Sequence, residues 1–177
     1  LIGTRQLDDL VQPGDLEPTF FSEATDRVAL PQVPCHIAFT SERVHRIVTA
    51  NLDRSPLFTG AIEGRGPRYC PSLEDKVVRF SDRERHQLFL EPEGLDSPLL
   101  YVNGFSTSLP PDAQLEMVRA VEGLEDAEMV PPGYGVEYHY VDPTELSPTL
   151  QTKRVAGLFL AGQINGSMPE YVVSRVA

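Results

Sequence analysis

Cys70 carries the most reactive side chain in the densest run of the chain, Gly66-Pro67-Arg68-Tyr69-Cys70-Pro71-Ser72-Leu73-Glu74-Asp75-Lys76-Val77-Val78-Arg79-Phe80. A cysteine attacks as its thiolate, and a helix N-terminus or a neighbouring cation lowers the pKa of the thiol. Both features are close in sequence. Ser72 and Asp75 have the S-x-x-D spacing of a capping box. Leu73, Val77 and Phe80 repeat at helical spacing, so the pattern predicts a helix that begins just after Cys70. Over residues 65–86 six basic residues (Arg65, Arg68, Lys76, Arg79, Arg83, Arg85) outnumber four acidic ones, a local +2 in a chain of net charge −11. An anionic ligand meets its most favourable local charge there. The same residues also describe a small buried cysteine beside a solvated helix face. Residue types alone leave both readings open.

Other chemistry-bearing residues are more scattered. Cys35 and His36 are adjacent in an apolar run, and neighbours on a strand point to opposite faces, so the pair is expected not to meet and Cys35 to be structural. His45 and His86 read as an exposed helix residue and a strand-edge residue. No Cys/His spacing matches a structural zinc site, and no metal is expected. The run Leu158-Phe159-Leu160-Ala161-Gly162-Gln163-Ile164-Asn165-Gly166 reads as a short buried strand followed by a glycine-spaced polar turn. Such a turn lets backbone amides approach a nucleotide closely, and a plain strand-to-loop connection has the same look. Residues 122–145 contain no Lys or Arg, which suits a solvated face or a docking surface for a basic partner.

The elements that must position these groups follow from periodicity. Residues 1–34 are rich in Pro, Asp, Glu and Gly and read as a connector, with one short strand around residues 33–37. Thr40-Ser41 offers N-cap chemistry to a helix running to about Leu52, whose stripe is Val44, Ile47, Val48 and Asn51-Leu52, and Pro56 stops it. Strands are expected at residues 86–92 and 99–102. Pro110-Pro111-Asp112 opens a helix carrying Leu115, Val118 and Val121, with Gly123 closing it. Further strands are expected at residues 127–130, 136–141 and 158–161. The reading is an α+β (α/β) fold with a mixed sheet.

Composition bounds the rest. The 177 residues suit one domain, or one domain plus part of another. With 41% hydrophobic and 23% charged residues a packed core is affordable. No apolar run reaches the roughly 18 residues of a membrane span. Leu1-Ile2-Gly3-Thr4-Arg5-Gln6 shows no signal peptide, and the start without Met predicts a piece of a longer chain. Two cysteines fit a reducing compartment. The acidic balance opposes nucleic-acid binding over the whole surface, since phosphate affinity comes mainly from Lys and Arg, but leaves room for a basic patch.

Several runs resemble the MnmG (GidA) family: Asn51-Leu52-Asp53-Arg54-Ser55-Pro56, Gly66 through Lys76, Phe89-Leu90-Glu91-Pro92-Glu93-Gly94, Ser106-Thr107-Ser108-Leu109-Pro110 and Ala161-Gly162-Gln163-Ile164-Asn165-Gly166. They occur in the family's order over residues 30–166. The resemblance implies a segment of an FAD-dependent enzyme that works with the GTPase MnmE. It installs a carboxymethylaminomethyl or aminomethyl group on C5 of the wobble uridine of tRNA, using NADH and methylenetetrahydrofolate. It implies a nicotinamide-cofactor (NAD) segment over residues 66–80 and a catalytic Cys70. Arg68 and Lys76 would favour the thiolate or hold substrate phosphate. Flavin contacts would come from Gly162, Gln163, Asn165 and Gly166. The implied division is a connector (1–30), an insertion domain (31–145), a returning piece of a Rossmann-like FAD-binding domain (146–166) and an unassigned tail (167–177). A homodimer in the bacterial cytoplasm or in a mitochondrion is implied. Two departures stand out. No G-x-G-x-x-G run occurs, so the first half of the flavin site is expected upstream of Leu1, and the tail Ser167-Met168-Pro169-Glu170 replaces the family's Thr-Thr-Gly-Tyr continuation. Rival readings are a non-catalytic insertion or recognition module and the related folate- and FAD-dependent tRNA uracil methyltransferase.

Overall fold

Alternation in Gln87-Leu88-Phe89-Leu90 sends Leu88 and Leu90 to one side of a strand and Phe89 to the other. In the computed structural model, which describes residues 10–62, 71–137 and 139–166, this alternation organises a two-layer fold. Strands β1 (Val11–Gln12), β2 (Cys35–Phe39), β3 (Gln87–Pro92) and β4 (Leu100–Asn103) form a sheet in chain order, each antiparallel to its neighbour. Ala38 pairs with Leu88, and Leu90 lies between His36 and Val102. Leu88 and Leu90 are fully buried, worth about 1.5–3 kcal/mol each against exposure.

Three helices supply the second layer: α1 (Glu42–Ala50), α2 (Leu73–Arg79) and α3 (Pro111–Arg119). Val44, Ile47 and Val48 of α1 join Leu73 and Val77 of α2, and Ala113 and Met117 of α3, in the same core as Ala38, Leu88 and Leu90. The caps are the ones the sequence offers. Ser41 Oγ accepts the Val44 N–H at 3.3 Å and donates to the Ala120 carbonyl at 3.1 Å, tying the start of α1 to the end of α3. Ser72 Oγ accepts the Asp75 N–H at 3.2 Å. Pro111 fills the first turn of α3, where an N–H would have no partner.

Several expectations are corrected. The sheet is antiparallel rather than mixed among the described residues. Residues 11–12, expected in a connector, pair with β2 at its edge. The described residues of 127–130 and 136–141 form no strand: Pro131 and Pro132 between them have no N–H for a ladder. On α3 the buried face is Ala113, Gln114 and Met117; of the expected stripe Val121 lies in the core just beyond the helix, Val118 packs against that core, and Leu115 is only half-buried. Phe80, third in the expected stripe of α2, caps the helix and is exposed. Residues 158–161 are not a buried strand. Phe159 makes one bridge, to Gln151, and is 59% exposed, because among the described residues no strand flanks it.

Candidate functional site

The described residues around the start of α2 converge on one carboxylate. Glu74 lies on the first turn of the helix and is completely buried. Its Oε1 accepts the Ser108 N–H at 2.9 Å, the Ser108 hydroxyl at 3.0 Å and the Ser55 hydroxyl at 3.4 Å. The two hydroxyls lie 3.1 Å apart. Glu74 Oε2 is buried without a hydrogen-bond partner. One residue earlier the Leu73 N–H donates to the Ser106 carbonyl at 2.7 Å. Three separate motif runs, those at residues 51–56, 66–76 and 106–110, therefore meet here. A second clasp joins two of the same segments: Arg54 Nη2 reaches both carboxylate oxygens of Asp112 at 2.9 Å and holds that carboxyl below its ordinary pKa.

The far side of the 106–108 segment carries another fixed loop. Buried Gln114 donates to the carbonyls of Leu109 at 2.6 Å and Gly133 at 2.8 Å, and accepts the Gly133 N–H at 2.7 Å. A β-carbon on Gly135 would come within 2.7 Å of Ile62 Cδ1, and one on Gly133 within 3.0 Å of the Thr107 carbonyl. At Gly133 a side chain would crowd a backbone carbonyl, whereas at Gly135 the end of the Ile62 side chain would have to move. The loop presents Tyr134 at 81% exposure.

Of the expected site residues, Gly66, Pro67, Arg68, Tyr69 and Cys70 lie outside the described residues, as does Arg65 of the basic run. Pro71 and Ser72 lead into the helix. Leu73, Glu74 and Val77 are interior, so within residues 66–80 they shape the helix rather than present a surface. Lys76 Nζ donates to the Gly104 carbonyl at 3.0 Å. Asp75 pairs with Arg79 at 3.4 Å, and Val78, Arg79 and Phe80 face outward. Gly162, Gln163 and Asn165 form a single 3-10 turn ended by Gly166 in the left-handed conformation. Asn165 is buried and donates to the Leu160 carbonyl at 3.3 Å. Gln163 Nε2 is buried without a partner. Nothing lies within 4 Å of where a β-carbon on Gly162 would stand.

Cys35 is a half-buried free thiol on β2, with His36 on the opposite face, as expected. His45, expected to be exposed, is half-buried, and His86, expected at a strand edge, stands just ahead of β3 and is buried. Their rings stand 5.3 Å apart, and His86 is 8% exposed. His45 Nε2 lies 2.8 Å from Thr40 Oγ1, which accepts the His86 N–H at 2.8 Å. Burial lowers both pKa values, and for His86 the neighbouring His45, Lys76 and Arg83 lower it further. The sequence marks Glu74 only as part of the expected nicotinamide segment 66–80 and Ser55 and Ser108 only within resembling runs, and it does not single out Gln114. Among the described residues no group of three or more His, Cys, Asp or Glu side chains is arranged to hold a metal, and no helix is long and apolar enough to cross a membrane.

The whole arrangement has relatives. The family described as glucose inhibited division protein A matches residues 7–172, reaching into both the expected connector and the unassigned tail. The tRNA uridine 5-carboxymethylaminomethyl modification enzyme MnmG of Campylobacter fetus is 58% identical over 156 residues, covering 88% of this chain and 25% of that protein. Its counterpart in Exiguobacterium sibiricum is 57% identical over 157 residues, covering 89% and 25%. The form I crystal structure of Aquifex aeolicus GidA superposes with a TM-score of 0.76 at 51% identity, covering 89% of this chain and 28% of that one. The chain thus spans about a quarter of the length of the curated relatives it matches. On a family match of this extent, the chain belongs to the glucose inhibited division protein A (GidA, MnmG) family.

Proposed function

We propose that this chain is a segment of an FAD-dependent enzyme that, with the GTPase MnmE, adds a carboxymethylaminomethyl or aminomethyl group to C5 of the wobble uridine of tRNA, using NADH and methylenetetrahydrofolate. The observation that carries the reading is the 58% identity, along 88% of the chain, to proteins named for that modification. In this reading residues 31–145 are the insertion domain, and residues 146–166 belong to a Rossmann-like FAD-binding domain. The enzyme acts as a homodimer in the cytoplasm, or in the mitochondrion of a eukaryote.

The residues of the 162–166 turn suit a flavin nucleotide. Among the described residues Gln163 Nε2 is a buried donor that meets no acceptor. Gly162, Gln163, Asn165 and Gly166 would hold the FAD, which when bound relays reducing equivalents from NADH. Uracil C5 becomes nucleophilic once a thiolate adds at C6, and Cys70 takes that role or serves as acid and base. Arg68 and Lys76 favour the thiolate or hold a phosphate. Lys76 brings an ammonium already anchored on the Gly104 carbonyl. Within the nicotinamide segment, contact falls to residues that are not interior, with Lys76, Arg79 and Phe80 on the described side.

Cys70→Ala in the full-length enzyme is expected to abolish tRNA modification while the flavin absorbance spectrum is retained. Near-normal modification sinks the catalytic assignment. Loss of flavin or tRNA binding with chemistry otherwise intact would point to the non-catalytic module.

A further inference from the structure

Alternation gives the four-stranded sheet two unlike faces. Ala38, Leu88, Leu90 and Val102 turn towards the helices and the core. Ile37, Phe39, Phe89, Tyr101 and Asn103, their neighbours along the strands, turn the other way. Phe39 pairs with Gln87, Phe89 with Ile37 and Asn103, and Tyr101 with Glu91. Phe39, Phe89 and Tyr101 therefore lie on one diagonal across β2, β3 and β4, with diagonal neighbours about 7–8 Å apart. Phe39 and Phe89 are half-buried, and Tyr101 is 52% exposed.

Two further features say what such a face suits. The Arg85 guanidinium lies 4.2 Å from the centre of the Phe39 ring. Arg46, Arg54, Arg79 and Arg154 stand 2.8–3.9 Å from a carboxylate, whereas among the described residues Arg85 has no such partner. A guanidinium laid on a ring still presents N–H groups to an anion. At the β1 end of the face a cavity of about 330 Å³ opens beside Gln12, Cys35, Phe89, Glu91 and Asn103. Asn103 Nδ2 donates to Glu91 Oε1 at 2.8 Å. The two amides and the carboxylate offer both donors and acceptors to a base edge, and Glu91 would repel a phosphate. A sheet with helices on one face and aromatic rings on the other is a known platform for unstacked RNA bases.

We propose that this open sheet face binds unstacked bases of single-stranded RNA. Phe39, Phe89 and Tyr101 form the stacking surface, Arg85 meets a backbone phosphate, and the cavity beside Gln12, Glu91 and Asn103 takes a base edge. The inference rests on the reading of the chain as part of a tRNA-modifying enzyme. A dinucleotide cofactor shares the stacking chemistry, but it brings two ring systems and a pyrophosphate. Three rings on a diagonal, with one cation and a carboxylate, fit a strand of RNA better.

The test uses the full-length enzyme carrying this sequence, with an unmodified tRNA transcript as probe. Tyr101→Ala is expected to raise the Kd about five- to 150-fold, the range that loss of one stacked base gives. Tyr101→Phe keeps the ring and is expected to stay within about twofold of the parent. Arg85→Ala should lower the slope of log affinity against log salt by about 0.7, the share of one phosphate contact on a single strand, and Tyr101→Ala should leave that slope unchanged. A parental Kd in Tyr101→Ala overturns the proposal. A second measurement needs no variant. Cys35 is a half-buried free thiol beside the cavity, so its alkylation by N-ethylmaleimide, followed on its own peptide, should slow when the transcript is saturating and not when NADH or FAD is added. Protection by a dinucleotide in place of the transcript overturns the proposal. So does a Cys35 that is unreactive without RNA, because other parts of the polypeptide then cover the face. If the parent enzyme neither binds nor modifies the transcript, the reading of the chain falls and this inference with it. If the parent does both while Tyr101→Ala binds equally well, only the sheet-face site fails.

Discussion

Residues 38–127 and residues 139–166 both carry motif runs, yet they are held together by different forces. The first region closes one core, in which Val44, Val48, Leu73, Leu88, Leu90 and Met117 are almost wholly inaccessible. The second is a knot of backbone hydrogen bonds. Val141 N–H donates to the Ile164 carbonyl at 2.7 Å, Thr152 N–H to Leu158 at 2.8 Å and Leu160 N–H to Leu150 at 3.0 Å. None of its side chains joins the core cluster, and Val155, Leu158, Phe159 and Ile164 are exposed. Since a hydrogen bond is worth only about 0.5–1.5 kcal/mol net, the contrast lies in buried apolar area. The first region is held by packed apolar side chains. The second keeps its turn in shape and leaves its apolar side chains open around a groove of about 260 Å³ bounded by Val141, Arg154, Val155 and Leu158.

Truncating one apolar residue in each region tests this contrast most severely. Leu90→Ala empties a fully buried site on β3 and is expected to destabilise by about 2–5 kcal/mol. Phe159→Ala, at a site 59% exposed, is expected to stay within about 0.5 kcal/mol. Urea unfolding of both variants measures the difference. Equal destabilisation would mean that the second region is packed as tightly as the first.

Gln114 tests the contrast at the edge of the packed region, where a side chain does the work of a strand. Gln114→Ala removes three hydrogen bonds and strands the buried Leu109 carbonyl, an expected cost of about 1–3 kcal/mol. Hydrogen exchange should then speed up at the Gly133 amide while the β2 and β3 amides stay protected. Unchanged exchange at Gly133 would show that close packing against Thr107 and Ile62 holds the loop by itself.

The difference between the regions also explains what could be read from the sequence. Ser41 and Ser72 announce their caps because the partner N–H is three residues away. The β3 strand is legible because alternation is a local pattern. Glu74 looks like any charged residue on a short helix. Its burial depends on Ser55 and Ser108, 19 and 34 positions distant, and no periodicity reports that. Residues 136–141 have strand composition, but a ladder needs a partner strand, and the described residues of that run join none of β1 to β4. Phe159 and its neighbours look like a buried strand because apolar runs of that length usually are. The described residues supply only a single bridge there, so the apolar character is legible and its burial is not.

The smallest expected effect concerns pH, and it too belongs to the packed region. His45 on α1 and His86 at the start of β3 share Thr40, with Lys76 of α2 and Arg83 near His86. Because Thr40 Oγ1 already accepts the His86 N–H, its own hydroxyl hydrogen is free to bond a neutral His45 ring at Nε2. A positive charge on His86, by contrast, would lose hydration by burial and meet His45, Lys76 and Arg83. Both folded-state pKa values lie below the ordinary 6.5. The unfolded chain therefore binds more protons as pH falls below about 6.5, and stability rises with pH across the window beneath that value. Each unit of pKa depression is worth about 1.4 kcal/mol. Melting temperatures taken between pH 7.5 and 5.0 should fall on acidification, and the double variant His45→Gln/His86→Gln should flatten that slope. The carboxylates bend the curve separately and lower down: Asp112, held in its charged form by Arg54, loses its contribution only as pH falls below its ordinary 3.8. A slope identical in the parent and the double variant would remove the histidine pair from the account and leave acid sensitivity to the carboxylates alone.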